Sequence, residues 1–131
     1  MEIPEHYKQA VIPHIMLDGA AEAITFYAAA FGASELFRLE DEDGRISHAE
    51  ISVQGSTLML GDAHKPFSTP AGAPSVGLHV YVPDVDALTA QAVEAGAELL
   101  SPPTDMVYGA RQSMLRDPYG HVWILLTPTS S

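Results

Sequence analysis

Two histidines, His14 and His79, stand 65 positions apart in a chain of 131 residues, each inside a short apolar run, AVIPHIML and VGLHVYV. Imidazole changes charge near neutral pH and binds metals through either ring nitrogen. Two neutral imidazoles at matching places of a repeat would hold Zn2+, Ni2+ or Fe2+ if a carboxylate joined them. Glu50, in the segment SHAEIS, is the best candidate for that carboxylate. On a strand the side chains alternate, so His48 and Glu50 share one face while Ala49 and Ile51 share the other. A pocket built this way contains His14, His48, Glu50 and His79, with Met16 on the face of His14 and Tyr81 on the face of His79. Without an ion the same side chains are hydrogen-bonding pocket residues, and an aromatic wall suits a flat or heterocyclic ligand. Met59, in the mixed apolar TLMLG, adds an adaptable wall. Trp123, by alternation, belongs to the core.

Other reactive groups offer less. Tyr108 and Gly109 precede Arg111, whose guanidinium would either clamp a carboxylate or phosphonate at a cleft mouth or form a surface salt bridge. Ser47, Ser52 and Ser113 have no base and orienting partner in the pattern, and there is no nucleophile elbow, phosphate-binding glycine loop or dinucleotide fingerprint. Nucleophilic catalysis is therefore not expected. His6 and His64 fall in an N-terminal arm and a connector and receive no role. The run Arg116-Asp117-Pro118-Tyr119-Gly120 reads as a structural turn, with Asp capping, Pro fixing φ and Gly taking the strain.

The charge balance narrows the partners. Six Lys and Arg against 17 Asp and Glu give a net charge of −11, which repels phosphate backbones and anionic lipid, so neither nucleic acid nor a membrane is an expected partner. The same field keeps a protein in solution and draws in a cationic ligand. There is no cysteine, and MEIPEHYKQA has neither a basic nor an apolar leader region. A cytoplasmic protein is the expectation.

The elements that must position these residues are written twice. AVIPHIML reads as a strand; DGAAEAITFYAAAFG then takes helical period, with Ala23, Ile24, Tyr27 and Phe31 on one stripe and Gly32 as its stop. SELFRLE, the acidic DEDG and RISHAEISV form a hairpin, and QGS turns into TLMLGD. DAHKPFSTPAGAPS is a connector. The plan then repeats as VGLHVYV, the helix DVDALTAQAVEAG, AELLSPP, ARQSMLR, the turn DPYG and HVWILLT. Two βαβββ modules with one helix each leave one sheet face uncovered, and that face is where a ligand belongs.

ITFYAAAFGA, SHAEISVQGSTLMLGD, YVPDVDALTAQAVEAGAELLSPP and YGARQSMLRDPYGHVWIL, in this order, resemble the vicinal-oxygen-chelate superfamily of glyoxalases, bleomycin resistance proteins and extradiol dioxygenases, and within it the PhnB-like branch. The resemblance implies an α+β fold in which two tandem βαβββ modules form a curved mixed sheet around a cleft. It implies one domain over 1–131, with module one at about 8–62, a connector at about 63–75 and module two at about 76–128. It also implies a homodimer. The superfamily's metal-ligand positions fall on Ile12, Gly77 and Ile124, with a fourth near Leu60, and none of these side chains binds a metal. Ala110 stands where the family's YGDR element usually has aspartate.

Two functions follow as expectations. The first is a binding protein that sequesters a small cationic or aromatic compound, as bleomycin-resistance relatives do, with no cofactor. Its ligand-binding residues are His14, Met16, His48, Glu50, His79, Tyr81, Tyr108 and Arg111. The alternative is a metal-dependent lyase, isomerase or epimerase in which His14, His79 and Glu50 hold Zn, Ni or Fe, with Glu50 as ligand or general base.

Overall fold

The computed structural model describes residues 11–129. The chain runs β1 (His14–Leu17), α1 (Ala20–Phe31), β2 (Ser34–Glu40), β3 (Ile46–Val53), β4 (Ser56–Asp62), β5 (Gly77–Tyr81), α2 (Val85–Ala95), β6 (Glu98–Asp105), β7 (Ala110–Arg116) and β8 (Val122–Pro128). The strands form two mixed four-stranded sheets, ordered β1-β4-β3-β2 and β5-β8-β7-β6. In each sheet the first pair is parallel and the other two are antiparallel. This is an α+β fold of two βαβββ modules. The chain divides into two compact units: one runs to Ala28 and from Gly32 to Thr69, and the other takes Ala29–Phe31 with the chain from Pro70 onward. The N-terminal arm with His6, and the first residues assigned to module one, lie outside the described residues.

In the first unit, alternation sorts the strands into two faces. Ile15, Leu17, Ala49, Ile51, Leu58 and Leu60 form a buried apolar face, and α1 buries Ala20, Ala23, Ile24 and Tyr27 along one stripe. Gly32 stops α1 in a left-handed conformation, φ 69°, and its N–H, with that of Ala33, satisfies the last carbonyls. The β2–β3 hairpin closes over the acidic loop through Asp41, which exchanges bonds with Arg45 and Gly44. The β3–β4 turn is a tight two-residue loop in which both Gln54, φ 51°, and Gly55, φ 82°, are left-handed.

The start of α1 has no side-chain cap of its own, because Gly19 stands there. Asp62, at the end of β4, supplies one from 42 or 43 positions away. Its Oδ1 accepts the N–H groups of Gly19 and Ala20 at 3.0 Å each, and its Oδ2 accepts that of Ile46 at 2.8 Å. Burial opposes ionisation of this carboxyl, but the three backbone donors, with Arg45, hold it below the usual aspartate value.

The second unit repeats the device with a neutral group. Thr127, 65 positions after Asp62, accepts the Val85 N–H of α2 at 3.0 Å and donates to Val82 O at 2.7 Å. Asp84 adds an ordinary N-cap by accepting the Ala87 N–H at 3.1 Å. Gln91 on α2 donates to the carbonyls of Ala29 and Ala30 in the last turn of α1. Trp123 is buried, 4.4 Å from the Phe31 ring, and its indole N–H donates to Asp117. Asp117 also accepts from Tyr119 and His121, so the DPYG segment is the structural turn that its residues suggest.

One buried polar contact joins α2 to its sheet. The Thr89 hydroxyl lies 2.7 Å from Ser113 Oγ and donates to Val85 O. A hydroxyl has one proton, so Ser113 donates to Thr89, which donates to the backbone.

Asp62→Ala leaves three backbone N–H groups unpaired and lowers unfolding free energy by about 3 to 5 kcal/mol, and Asp62→Asn by roughly half that. Because the folded-state pKa of Asp62 is depressed, its contribution is complete above the unfolded value of 3.8 and is lost as pH falls through the folded value. Denaturant midpoints of wild type and Asp62→Asn should therefore stay apart above pH 5 and converge below pH 4. Thr89→Ala strands the Ser113 hydroxyl and costs about 1 to 3 kcal/mol, whereas Thr89→Val with Ser113→Ala should cost less than the single change. Calorimetry of the two variants compares them directly.

Candidate functional site

A row of side chains crosses the first sheet on the face opposite its buried apolar one. Register sets His14 of β1 beside Met59 of β4, Met59 beside Glu50 of β3, and Glu50 beside Phe37 of β2. His48 shares the face of Glu50, beside Leu39, and Met16 shares that of His14. Gly61 faces Met16 across the strands; a Cβ there would lie 3.0 Å from Ser47 O, so a larger residue would crowd the backbone of β3 at that point.

Glu50 is the center of the row. Its side chain is 2% exposed, and Oε2 lies 2.8 Å from Nε2 of His48, itself 27% exposed. A carboxylate accepts, so the ring proton belongs on Nε2 and Nδ1 of the neutral ring carries the lone pair. The His14 ring stands edge to face on His48, with centroids 5.4 Å apart and planes at 68°. Phe37, 40% exposed, has its centroid 5.7 Å from that of His48. Burial first, then the imidazoles of His48 and His64, push His14 below the usual histidine value; Glu50 opposes this without prevailing. The structure thus sets His14, Met16, His48 and Glu50 on one face as alternation predicts, places the Met59 wall between them, and adds Phe37, Leu39 and the electrostatic influence of His64.

The second sheet carries a different set. His79 lies beside Ile124, Ile124 beside Met114, and Met114 beside Ser101; Tyr81 lies beside Leu126, Leu126 beside Gln112, and Gln112 beside Thr104. His79 and Tyr81 are exposed, and the Tyr108 hydroxyl donates to Gln112 Oε1, which draws Tyr108 to this face. Arg111 does not join them. It alternates with Gln112, on the side of Ser113 that meets α2, and its guanidinium holds Asp86 at 2.7 and 3.0 Å and Asp105 at 3.2 Å. Of its two expected roles the structure shows the surface ion pair, with its donors on the helix side of the sheet.

The positions that correspond to the superfamily's metal ligands do not fit a divalent ion. Leu60 is fully buried on the opposite face, so the residue beside His14 is Met59, which stands 65 positions before Ile124. A Cβ on Gly77 would come within 3.1 Å of Ile124 Cδ1, so that isoleucine occupies the space above the glycine. Among Ile12, Met59, Gly77 and Ile124 only a thioether offers a lone pair, and a thioether is a soft ligand. Among the described residues no three His, Cys, Asp or Glu side chains are grouped so as to hold a metal ion.

The lowered pKa of His14 gives a signed prediction. The unfolded chain takes up the His14 proton near pH 6.5, before the folded chain does, so this residue makes stability fall as pH drops below that value. His14→Gln should flatten the decline in urea midpoint between pH 7 and pH 5, and ring NMR should show His14 titrating below the free-histidine value.

Comparison with known proteins agrees with this architecture. The profile of the Glyoxalase/Bleomycin resistance protein/Dioxygenase superfamily matches residues 10–125. An uncharacterized protein of Mycobacterium tuberculosis is 38% identical over 126 residues, covering 91% of this chain and 74% of its own. The crystal structure of TioX from Micromonospora sp. ML1 superposes with a TM-score of 0.72 at 24% identity, over 92% of this chain and 97% of that one. The PhnB protein from Bacillus cereus does so with a TM-score of 0.69 at 20% identity, over 89% and 98%. Among the described residues no helix is long and apolar enough to cross a membrane. With the profile spanning nearly all of both modules, the chain belongs to the glyoxalase, bleomycin resistance protein and dioxygenase superfamily.

Proposed function

We propose that this protein binds a small, flat, positively charged molecule against the histidine-bearing face of its first sheet. The observation that carries the reading is Glu50, a buried carboxylate fixed by His48 in a row that also holds His14, Phe37 and Met59. Aromatic and thioether groups give a cation a polarizable wall, and the carboxylate gives it a countercharge. The net charge of −11 favours encounter with such a ligand. His79, Tyr81 and Tyr108 offer a second, more exposed aromatic face on the other sheet. The reading includes sequestration in place of turnover, a location in the cytoplasm and a place in the PhnB-like branch, the last supported by the sequence motifs and the likeness to the B. cereus protein. It also includes a homodimer, supported by Leu36, Leu39, Leu99 and Leu100, which stand exposed on the edge strands β2 and β6.

Thermal shift in the presence of a chelator tests it. Against a panel of aromatic cations, including basic antibiotics, and their neutral isosteres, a ligand at a hundredfold excess over its Kd stabilises by about 2.7 kcal/mol, roughly 10 °C for a chain of this size. Glu50→Gln should abolish the preference for the cation. Equal shifts from neutral and cationic compounds, or an unchanged preference in the variant, would reject the assignment of Glu50 as countercharge.

A further inference from the structure

The donors that the first sheet does present have their own chemistry. We propose that His14, His48 and Met59 form a site for one soft monovalent metal ion, Cu(I), with Glu50 orienting His48. His48 donates its Nε2–H to the Glu50 carboxylate at 2.8 Å, which leaves Nδ1 as the coordinating nitrogen. An imidazole held through its other ring nitrogen by a carboxylate is the arrangement in which histidines ligate metals. His14 supplies the second imidazole. With metal to nitrogen bonds of about 2.0–2.1 Å, two rings sharing one ion have centroids roughly 5 to 6 Å apart, and those of His14 and His48 are 5.4 Å apart.

Met59 supplies the soft donor. It pairs in register with both His14 and Glu50, so its side chain starts from the strand between them and on their face. Thioether and imidazole together select Cu(I) over the divalent ions that want oxygen or several nitrogens. The buried Glu50 carboxylate offsets the single positive charge that the ion brings. The inference goes beyond the small-molecule reading and shares residues with it, so the metal is tested with no organic ligand present, and either can fail alone.

The experiment is an anaerobic titration of metal-free protein with Cu(I) buffered by bicinchoninate, with Ag(I) as a redox-silent probe for NMR and Zn(II) as a comparison. One Cu(I) per chain is expected, and Ag(I) should shift the ring signals of His14 and His48 together. His14→Ala and His48→Ala should each weaken Cu(I) binding by about a hundredfold or more, and Glu50→Gln by about 10 to 100-fold. Met59→Leu, which conserves volume, should weaken Cu(I) about tenfold and leave Zn(II) unchanged. If either histidine variant fails to fold, His14→Gln and Met59→Leu carry the same comparison. Absence of stoichiometric Cu(I), its retention after loss of both histidines, or full affinity in Met59→Leu would each overturn the proposal.

Discussion

Each helix in this fold is fastened at its start by a side chain that ends the last strand of its own module. A helix N-terminus exposes backbone N–H groups that must find acceptors, and here the acceptor arrives from about 40 positions away: Asp62 for α1 and Thr127 for α2. The bond does more than satisfy donors. It fixes where the helix begins relative to the parallel pair β1-β4 or β5-β8. His14 opens β1 and His79 stands in the middle of β5, the strands that lead into the two helices.

With the backbone fastened alike, the two sheets are free to differ in what they display. The place of Glu50 in the first module is taken by Met114 in the second, that of His48 by Gln112, and that of Met59 by Ile124, as the paired registers show. Only the first sheet therefore gathers imidazole, carboxylate and thioether in one row. The second presents His79 and Tyr81 over an apolar floor of Ile124, Met114 and Leu126.

Most of the fold was legible because it rests on local pattern. Periodicity marked both helices, Gly32 and Gly96 their ends, and the 65-residue spacing of the histidines the repeat. Alternation placed His48 and Glu50 together because β3 pairs with β4 without a shift. It failed to find Phe37 because β2 breaks register between Glu35 and Phe37, and such a break resets which face a side chain takes. The face of Arg111 was readable from Ser113 and Leu115, but its partners Asp86 and Asp105 come from elements that alternation does not connect. The caps were invisible for the same reason, although an Asp and a Thr at equivalent strand ends was the signal available.

Tandem repeats carry a folding hazard, since an element of one copy fits the other nearly as well as its own. The Thr89–Ser113 contact bears on this. The residues at the same places in the first module are Ile24 and Ala49, a large apolar side chain and a small one. Were α1 to dock on the second sheet, Ile24 would leave the Ser113 hydroxyl without a partner in a buried position; were α2 to dock on the first, Thr89 would meet a methyl group where it needs a donor. Each exchange is penalised by about 1 to 3 kcal/mol of unmet hydrogen bonding, and divergence between the copies thereby acts as proofreading of their assembly.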